Sequence, residues 1–229
     1  MNKQVVIIGA SRGIGEELVH QFAKQEDCRV LALSRNSKQM SEVFSEYPSV
    51  TCVTFDLDGD KVRETAERIF AEVDKIDIII NNAGKLVNKP FLSLTAEDIR
   101  SCYQVNVMGV FSVMQAALPK MSAGAHSVMI SSMGGFQGSV KFAGLSAYST
   151  SKAALASLTE LLAEEYKESG IAFNCLALGA AQTEMLEEAF PGYQAPVSAS
   201  QMATFIADFS SSAHQWIKGK IIPVSLSTP

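Results

Sequence analysis

The chain lacks most of what would support anything other than an ordinary globular core. Its four cysteines among 229 residues, Cys28, Cys52, Cys102 and Cys175, are widely scattered. They form no pair at metal-ligand spacing, and a core of this size needs no disulfide staple. They read as buried or half-buried thiols of a cytoplasmic protein. The three histidines, His20, His126 and His214, are equally isolated, so no metal centre is expected. No apolar run approaches the roughly 20 residues that span a bilayer. Met1-Asn2-Lys3-Gln4 passes straight into a strand-like run, without the apolar stretch and cleavage site of a signal peptide. Basic runs are absent too, and the net charge of −5 argues against a nucleic-acid or membrane surface. With no linker, low-complexity tract or internal repeat, one domain over residues 1–229 is expected.

What is present is a repeating alternation. Hydrophobic content of 47% with 19% charged residues is that of a globular chain. Short apolar runs occur at Val5–Ile8, Val30–Leu33, Val50–Phe55, Ile76–Ile80, Ser127–Ile130, Ala172–Leu176 and Ile221–Val224. Between them lie segments of helical periodicity around Gly13–Gln25, Ser37–Glu46, Asp60–Val73, Ala96–Met121, Ala147–Ser169 and Ser198–Ser210. Largely apolar strands between helices predict a parallel sheet covered on both faces, a doubly wound α/β fold with seven strands.

The polar residues at the ends of these strands carry the chemistry. The first strand runs into Gly9-Ala10-Ser11-Arg12-Gly13-Ile14-Gly15. Glycines between a strand and a helix let the backbone approach a pyrophosphate, which the helix N-terminus then holds. The spacing is G-x-x-x-G-x-G, not the commoner G-x-G-x-x-G, and a tight turn that binds nothing is the plain alternative. The second strand ends Leu33-Ser34-Arg35, with no acid to take a ribose 2′-hydroxyl. Arg12 and Arg35 with the Ser34 hydroxyl suit a 2′-phosphate, because guanidinium groups bind phosphate through paired donors. This favours NADP(H) over NAD(H). Asp56 at the third strand's end could accept an adenine amino group while Leu57 covers the ring; Asp58 could equally cap the next helix. The fourth strand leads into Asn81-Asn82-Ala83-Gly84, small enough for a ribose to pass. Asn106 is a poor mid-helix residue and marks a local irregularity or polar network. The fifth strand ends in Ser131-Ser132, facing the crevice where such sheets bind ligands. Finally, Tyr148 and Lys152 stand four residues apart at the start of a long helix. They share one helical face, and an ammonium beside a phenol favours the phenolate, which suits acid/base work near neutrality. A bare Y-x-x-x-K is common by chance; its context gives it meaning.

In this order, the glycine loop, Asn81-Asn82-Ala83-Gly84, Asn106, the serine pair and Tyr148-x-x-x-Lys152 resemble the short-chain dehydrogenase/reductases of the small single-domain type. The resemblance runs from Val5 to about Val224. It implies a single-domain Rossmann fold and NADPH-dependent interconversion of a carbonyl and an alcohol. Tyr148 would be the general acid in reduction and the base in oxidation. Lys152 would lower its pKa and bind the nicotinamide ribose. Ser132 would hold the substrate oxygen, with Ser131 and Ser139 as alternatives, and Asn106 would hold a water linking Lys152 to solvent. Gly9, Ser11, Arg12, Gly13, Ile14 and Gly15 match the phosphate loop, and Ser34 with Arg35 the 2′-phosphate site. Asp56 and Leu57 match the adenine contacts, and Asn82, Ala83 and Gly84 the ribose contacts. Leu178-Gly179-Ala180-Ala181-Gln182-Thr183 resembles P-G-x-x-x-T, placing Gly179, Ala181 and Thr183 near the carboxamide.

The departures are Ile8 in place of the usual Thr, Leu178 in place of Pro, which predicts a less rigid loop, and extra residues Phe136–Gly144 at the pocket mouth. A fourth is the absence of the family's usual acidic, glycine-rich ending before Pro229. Residues 184–200 are expected to form a short substrate lid broken by Pro191, Gly192 and Pro196. Met133, Phe142, Met185, Phe190 and Tyr193 are the candidate pocket walls, implying an apolar or aromatic carbonyl substrate and an open cleft. A cofactor-binding sensor with little catalysis is the competing reading; an epimerase or dehydratase would need more chain after the sixth strand. A homodimer or homotetramer is expected, built on the apolar faces of Met108–Met121 and Ala153–Glu165.

Overall fold

The computed structural model describes residues 3–226; the readings placed on Met1, Asn2 and the end at Pro229 lie outside them. Seven parallel strands form one sheet in the order β3-β2-β1-β4-β5-β6-β9. They are β1 (Lys3–Ile8), β2 (Cys28–Ser34), β3 (Val50–Thr54), β4 (Ile78–Asn81), β5 (His126–Ser132), β6 (Ala172–Leu178) and β9 (Lys220–Val224). The doubly wound α/β fold expected from the alternation is the fold observed.

The inner strands are apolar because both faces are covered. Val5 to Ile8 are all buried, as are Ile78 to Ile80. On one face α1 (Gly13–Ala23), α2 (Ser37–Val43) and α8 (Ala199–Ser212) pack Leu18, Phe22, Met40 and Ile206 against Val5, Ile7 and Val30. On the other, α3 (Val62–Ala71), α5 (Gly109–Ala117) and α6 (Ser146–Glu165) pack Phe70, Val113, Met114 and Leu155 against Val6, Ile79 and Phe173. Each such side chain contributes about 1.5–3 kcal/mol by burial. The chain winds from β1 outward through β2 and β3, then returns to β4 and continues the other way. The crevice at the C-terminal ends of β1 and β4 is therefore the topological switch point, where such sheets bind ligands.

Two segments depart from the expected elements. The helix expected over Ala96–Met121 is broken: α4 (Ala96–Tyr103) passes through a π turn at Gln104–Met108 into α5. Asn106 lies in that wide turn, as its poor helix propensity suggested. The segment after β6 is not loose. The Gly179 N–H donates to Val224 O at 2.8 Å, β7 (Ala181–Gln182) pairs with β8 (Val197–Ser198), and between them lies α7 (Glu184–Ala189), capped by Thr183. Leu178 is buried, so apolar packing and the Val224 bond hold the loop that Pro would have stiffened. All four cysteines are free, three buried and Cys52 half-buried.

Candidate active site

Three elements meet at the C-terminal edge of the sheet. Strand β5 ends at Ser132, α6 begins at Ser146, and the short turn Met133–Gly135 joins the strand to the intervening loop. That turn lies hard against α6: a Cβ on Gly135 would sit 2.7 Å from the Ala153 nitrogen and 2.8 Å from the Lys152 carbonyl carbon. Only glycine allows this approach, which brings Ser132 to Tyr148. The Ser132 hydroxyl accepts from the Gly134 N–H at 3.2 Å and hydrogen-bonds the Tyr148 phenol.

The other two serines are engaged elsewhere. Ser131 is buried and donates to the Lys152 backbone carbonyl at 2.8 Å, tying β5 to α6. Ser139 donates to the carbonyls of Met133 and Phe136 and organises the inserted loop. Ser132 is thus the serine beside the phenol.

Lys152 is 3% exposed and has no carboxylate partner among the described residues. Its Nζ donates to Ile130 O at 2.8 Å and lies 5.8 Å from the Tyr148 ring centroid. An ammonium has three donors, and this is its one hydrogen bond among the described residues. Burial brings the lysine down to about 8. Burial likewise pushes the Tyr148 phenol up to about 12, opposed by its hydrogen bond with Ser132. The expected depression of Tyr148 by Lys152 is therefore not what the polypeptide alone produces: loss of hydration around the phenolate outweighs the hydrogen bond with Ser132.

Asn106 is fully buried and works as a bracket. Its Oδ1 accepts from the Lys85 N–H at 2.8 Å; its Nδ2 donates to Lys85 O at 2.9 Å and Ser151 Oγ at 2.8 Å. The side chain thereby joins the loop after β4, the π turn and α6. Both of its N–H groups are occupied within the protein. Gly84 lies beside this group, its Cβ position 3.3 Å from Lys152 Nζ.

The loop Gly9–Gly15 borders the same crevice. Gly9 and Gly13 have φ of +87° and +56°. A Cβ on Gly15 would fall 1.9 Å from Gly9 O, so only glycine can open α1 this close to the loop. Asn82 Nδ2 donates to Gly9 O at 2.9 Å, and the Ala83 N–H to Ile8 O at 2.8 Å, locking the β4 exit against the loop. Ile8 serves here through its carbonyl, so the missing Thr hydroxyl is not needed for that contact. At the end of β2, Ser34 donates to Ser11 Oγ at 2.8 Å, beside exposed Arg35. A glycine cradle, two hydroxyls and an exposed guanidinium fit a phosphorylated dinucleotide.

A model of the short chain dehydrogenase family matches residues 3–194. The chain belongs to the short-chain dehydrogenase/reductase family. It is 35% identical over 190 residues to oxidoreductase UcpA of Salmonella typhimurium, covering 81% of this chain and 72% of that protein. It is 29% identical over 240 residues to the 3-oxoacyl-[acyl-carrier-protein] reductase FabG of Aquifex aeolicus, covering 97% and 96%. Among solved structures, a short chain dehydrogenase from Burkholderia cenocepacia in complex with NADP superposes with a TM-score of 0.86 at 26% identity, over 97% of this chain and 96% of that one. Membership makes the protein an oxidoreductase of CH–OH and C=O groups that uses a nicotinamide cofactor and a small-molecule substrate. Among the described residues no helix is long and apolar enough to cross a membrane, and no cluster of three His, Cys, Asp or Glu side chains could hold a metal.

Several residues singled out within the dehydrogenase pattern stand differently from expectation. Leu57 is buried, packed beneath Gly109, so its side chain offers no face to an adenine; Asp56 remains exposed. Arg12 is ion-paired with Glu188 rather than free. Met133 is a core residue, 4% exposed. Tyr193 faces a separate hollow of about 340 Å³ between α8 and the β9 edge, lined also by Phe205, Met202 and Val224 but by none of Asn106, Ser132, Tyr148 or Lys152. Phe142, Met185 and Phe190 are half-buried. Gly179, Ala181 and Thr183 hold the β6–α7 connection, where Thr183 caps α7. The residues that sequence reasoning missed are Ser151 and Lys85. Ser151 precedes the lysine by one position, which is its only trace in the sequence; the Lys85 contribution is backbone and leaves none.

Proposed function

We propose that this dehydrogenase/reductase is an NADPH-dependent carbonyl reductase, acting reversibly on a small apolar or aromatic carbonyl. The observation that carries this reading is the convergence of Ser132, Tyr148 and Lys152 at the end of the crevice that the glycine loop borders. The cofactor, when bound, supplies or accepts the hydride; the protein orients it and manages charge and protons. Gly9, Ser11, Gly13, Ile14 and Gly15 would cradle the pyrophosphate, and Ser34, Arg35 and Arg12 the 2′-phosphate. Asp56 would take the adenine, Asn82, Ala83 and Gly84 the ribose, and Gly179, Ala181 and Thr183 the carboxamide end.

In reduction Tyr148 protonates the substrate oxygen, and in oxidation it removes that proton. Ser132 donates to the same oxygen and stabilises the charge that develops there. The two unused donors of Lys152 would hold the nicotinamide ribose, and its charge stabilises the phenolate left after proton transfer. Asn106 keeps Lys152 and the Lys85 backbone in register and places a water at Oδ1 for proton resupply. Phe142, Met185 and Phe190 support the apolar substrate class.

The test is turnover of aldehydes, ketones and diketones with NADPH and NADH, comparing wild type with Tyr148→Phe and Arg35→Ala. The expected result is NADPH-dependent turnover that disappears in Tyr148→Phe, with Arg35→Ala weakening NADPH far more than NADH. NADPH binding without turnover on any carbonyl would favour a sensor; equal losses for both cofactors in Arg35→Ala would remove the 2′-phosphate assignment. Exposed Met108 and Phe111 on the α5 side and Leu161 on α6 support a homodimer or homotetramer, and a light-scattering mass of one chain would refute it. We place the protein in the cytoplasm, as one domain with residues 184–200 covering the substrate.

A further inference from the structure

Helix α7 lies across the glycine loop and is tied to it by charge. A Cβ on Gly13 would sit 3.2 Å from Glu184 Oε2 and 3.2 Å from Thr183 Cγ2, so the start of α7 rests on the start of α1. Near the other end, both oxygens of Glu188 meet the Arg12 guanidinium: Nη1 donates to Oε1 at 2.5 Å and Nη2 to Oε2 at 3.3 Å. At the end of the helix Asn88 Nδ2 donates to Ala189 O at 2.9 Å. The helix carries Glu184, Glu187 and Glu188 and no basic residue, which makes Arg12 its cationic contact with the loop. The pairing raises the Arg12 pKa and lowers that of Glu188, each mainly through their mutual hydrogen bond.

A guanidinium presents two bidentate edges, and Glu188 holds the Nη1–Nη2 edge of Arg12. Arg12 therefore cannot keep this geometry with Glu188 and also grip a phosphate by the same edge. We infer that Glu188 is a cofactor-selecting residue: it holds Arg12 against α7, so a 2′-phosphate that recruits the Nη edge of Arg12 must displace Glu188 and free that end of the helix. A ligand without the 2′-phosphate leaves the pair intact. This rests on the reading that Arg12 serves the 2′-phosphate. The competition is modest, because the side chains of Arg12 and Glu188 are 46% and 63% exposed; an exposed ion pair limits the effect to about fivefold in affinity.

The experiment measures binding of adenosine 2′,5′-bisphosphate and of AMP by calorimetry at low ionic strength, in wild type, Glu188→Gln, Glu187→Gln and Arg12→Gln. Amide hydrogen exchange of residues 184–190 is followed in parallel. Glu188→Gln is expected to tighten the bisphosphate about three- to fivefold while leaving AMP unchanged. The bisphosphate should speed exchange in α7 of the wild type and add nothing in Glu188→Gln, where exchange is already fast. No tightening, equal tightening of both ligands, or an equal gain in Glu187→Gln would overturn the inference, the last two by showing a general field rather than a competing pair. Arg12→Gln separates the failures. If it loses affinity for the bisphosphate while Glu188→Gln gains none, the inference alone falls. If it changes nothing, the assignment of Arg12 to the 2′-phosphate falls, and the inference with it.

Discussion

His126 opens β5 and Ser132 closes it, and the strand is anchored at each end in a buried polar network. At the opening end the ring of His126 and the amide of Asn174 are fully matched, while Ser210 Oγ and His214 Nδ1 beside them are buried without a partner among the described residues. His126 is fully buried; its Nδ1–H donates to Ser210 O at 2.9 Å, and its Nε2 accepts from Asn174 Nδ2 at 2.9 Å. Asn174 in turn donates to Ile217 O and accepts from the Lys220 N–H. At the closing end Lys152 is as deeply buried but has one hydrogen bond from three donors, and Tyr148 has its phenol against a serine. Burial lowers both cationic groups, His126 to about 4 and Lys152 to about 8. The difference lies in unused hydrogen-bonding capacity. An imidazole and amide whose donors and acceptors all find protein partners hold the architecture together; an ammonium that keeps donors unused beside a crevice is arranged for a ligand.

The largest effect should come from removing the phenol. Tyr148→Phe is expected to lower kcat by about 10²–10⁴-fold with no change in the urea midpoint, since only a hydroxyl bonded to Ser132 is lost. The mirror experiment is His126→Ala, which strands Asn174 Nδ2 and Ser210 O. It should cost about 3 kcal/mol of stability while the folded fraction keeps its kcat. A Tyr148→Phe protein that unfolds, or a His126→Ala protein that is folded but inactive, breaks the contrast.

Acid should act on the opening end first. The unfolded chain takes up a proton on His126 below its ordinary value of 6.5, the native protein only below about 4. An imidazolium would put a second N–H against Asn174 Nδ2, which can only donate. The stability that neutral His126 provides is therefore complete above pH 6.5 and is lost as pH falls toward 4, by about 3 kcal/mol. His214, also lowered by burial, acts in the same direction. Urea unfolding at several pH values should show this slope in wild type and a shallower one in His126→Gln; a flat wild-type profile would mean that the imidazole is not held neutral.

At the closing end the sensitivity is to base. Lys152 loses its proton as pH rises past about 8, so kcat/KM for reduction should fall above that pH, approaching about tenfold per pH unit. A falling limb beyond pH 10 would show that Lys152 keeps an ordinary, solvated pKa.

Much of the fold was legible because its determinants are local. Apolar runs such as Ile76–Ile80 between helical segments argue for strands covered on both sides, and β4 begins within that run at Ile78; Asn106 marked an irregularity in a helix that otherwise reads as continuous. The spacing of Tyr148 and Lys152 needs nothing beyond helical geometry to place them on one face. The remainder depended on partners far away in sequence. Arg12 meets Glu188 across 176 positions, Leu57 is buried by Gly109, and Tyr193 turns to a hollow made by α8 and β9. Periodicity contains no information about such meetings.

The amino-acid sequence alone determined the doubly wound sheet, the glycine loop at its switch point and the phenol–ammonium pair, because each follows from backbone periodicity and residue type. Tertiary structure decided which of three serines stands beside the phenol, how far burial moves Tyr148 and Lys152, and where α7 comes to rest. Those outcomes depend on which groups exclude water from one another, and that is set only when distant segments pack together.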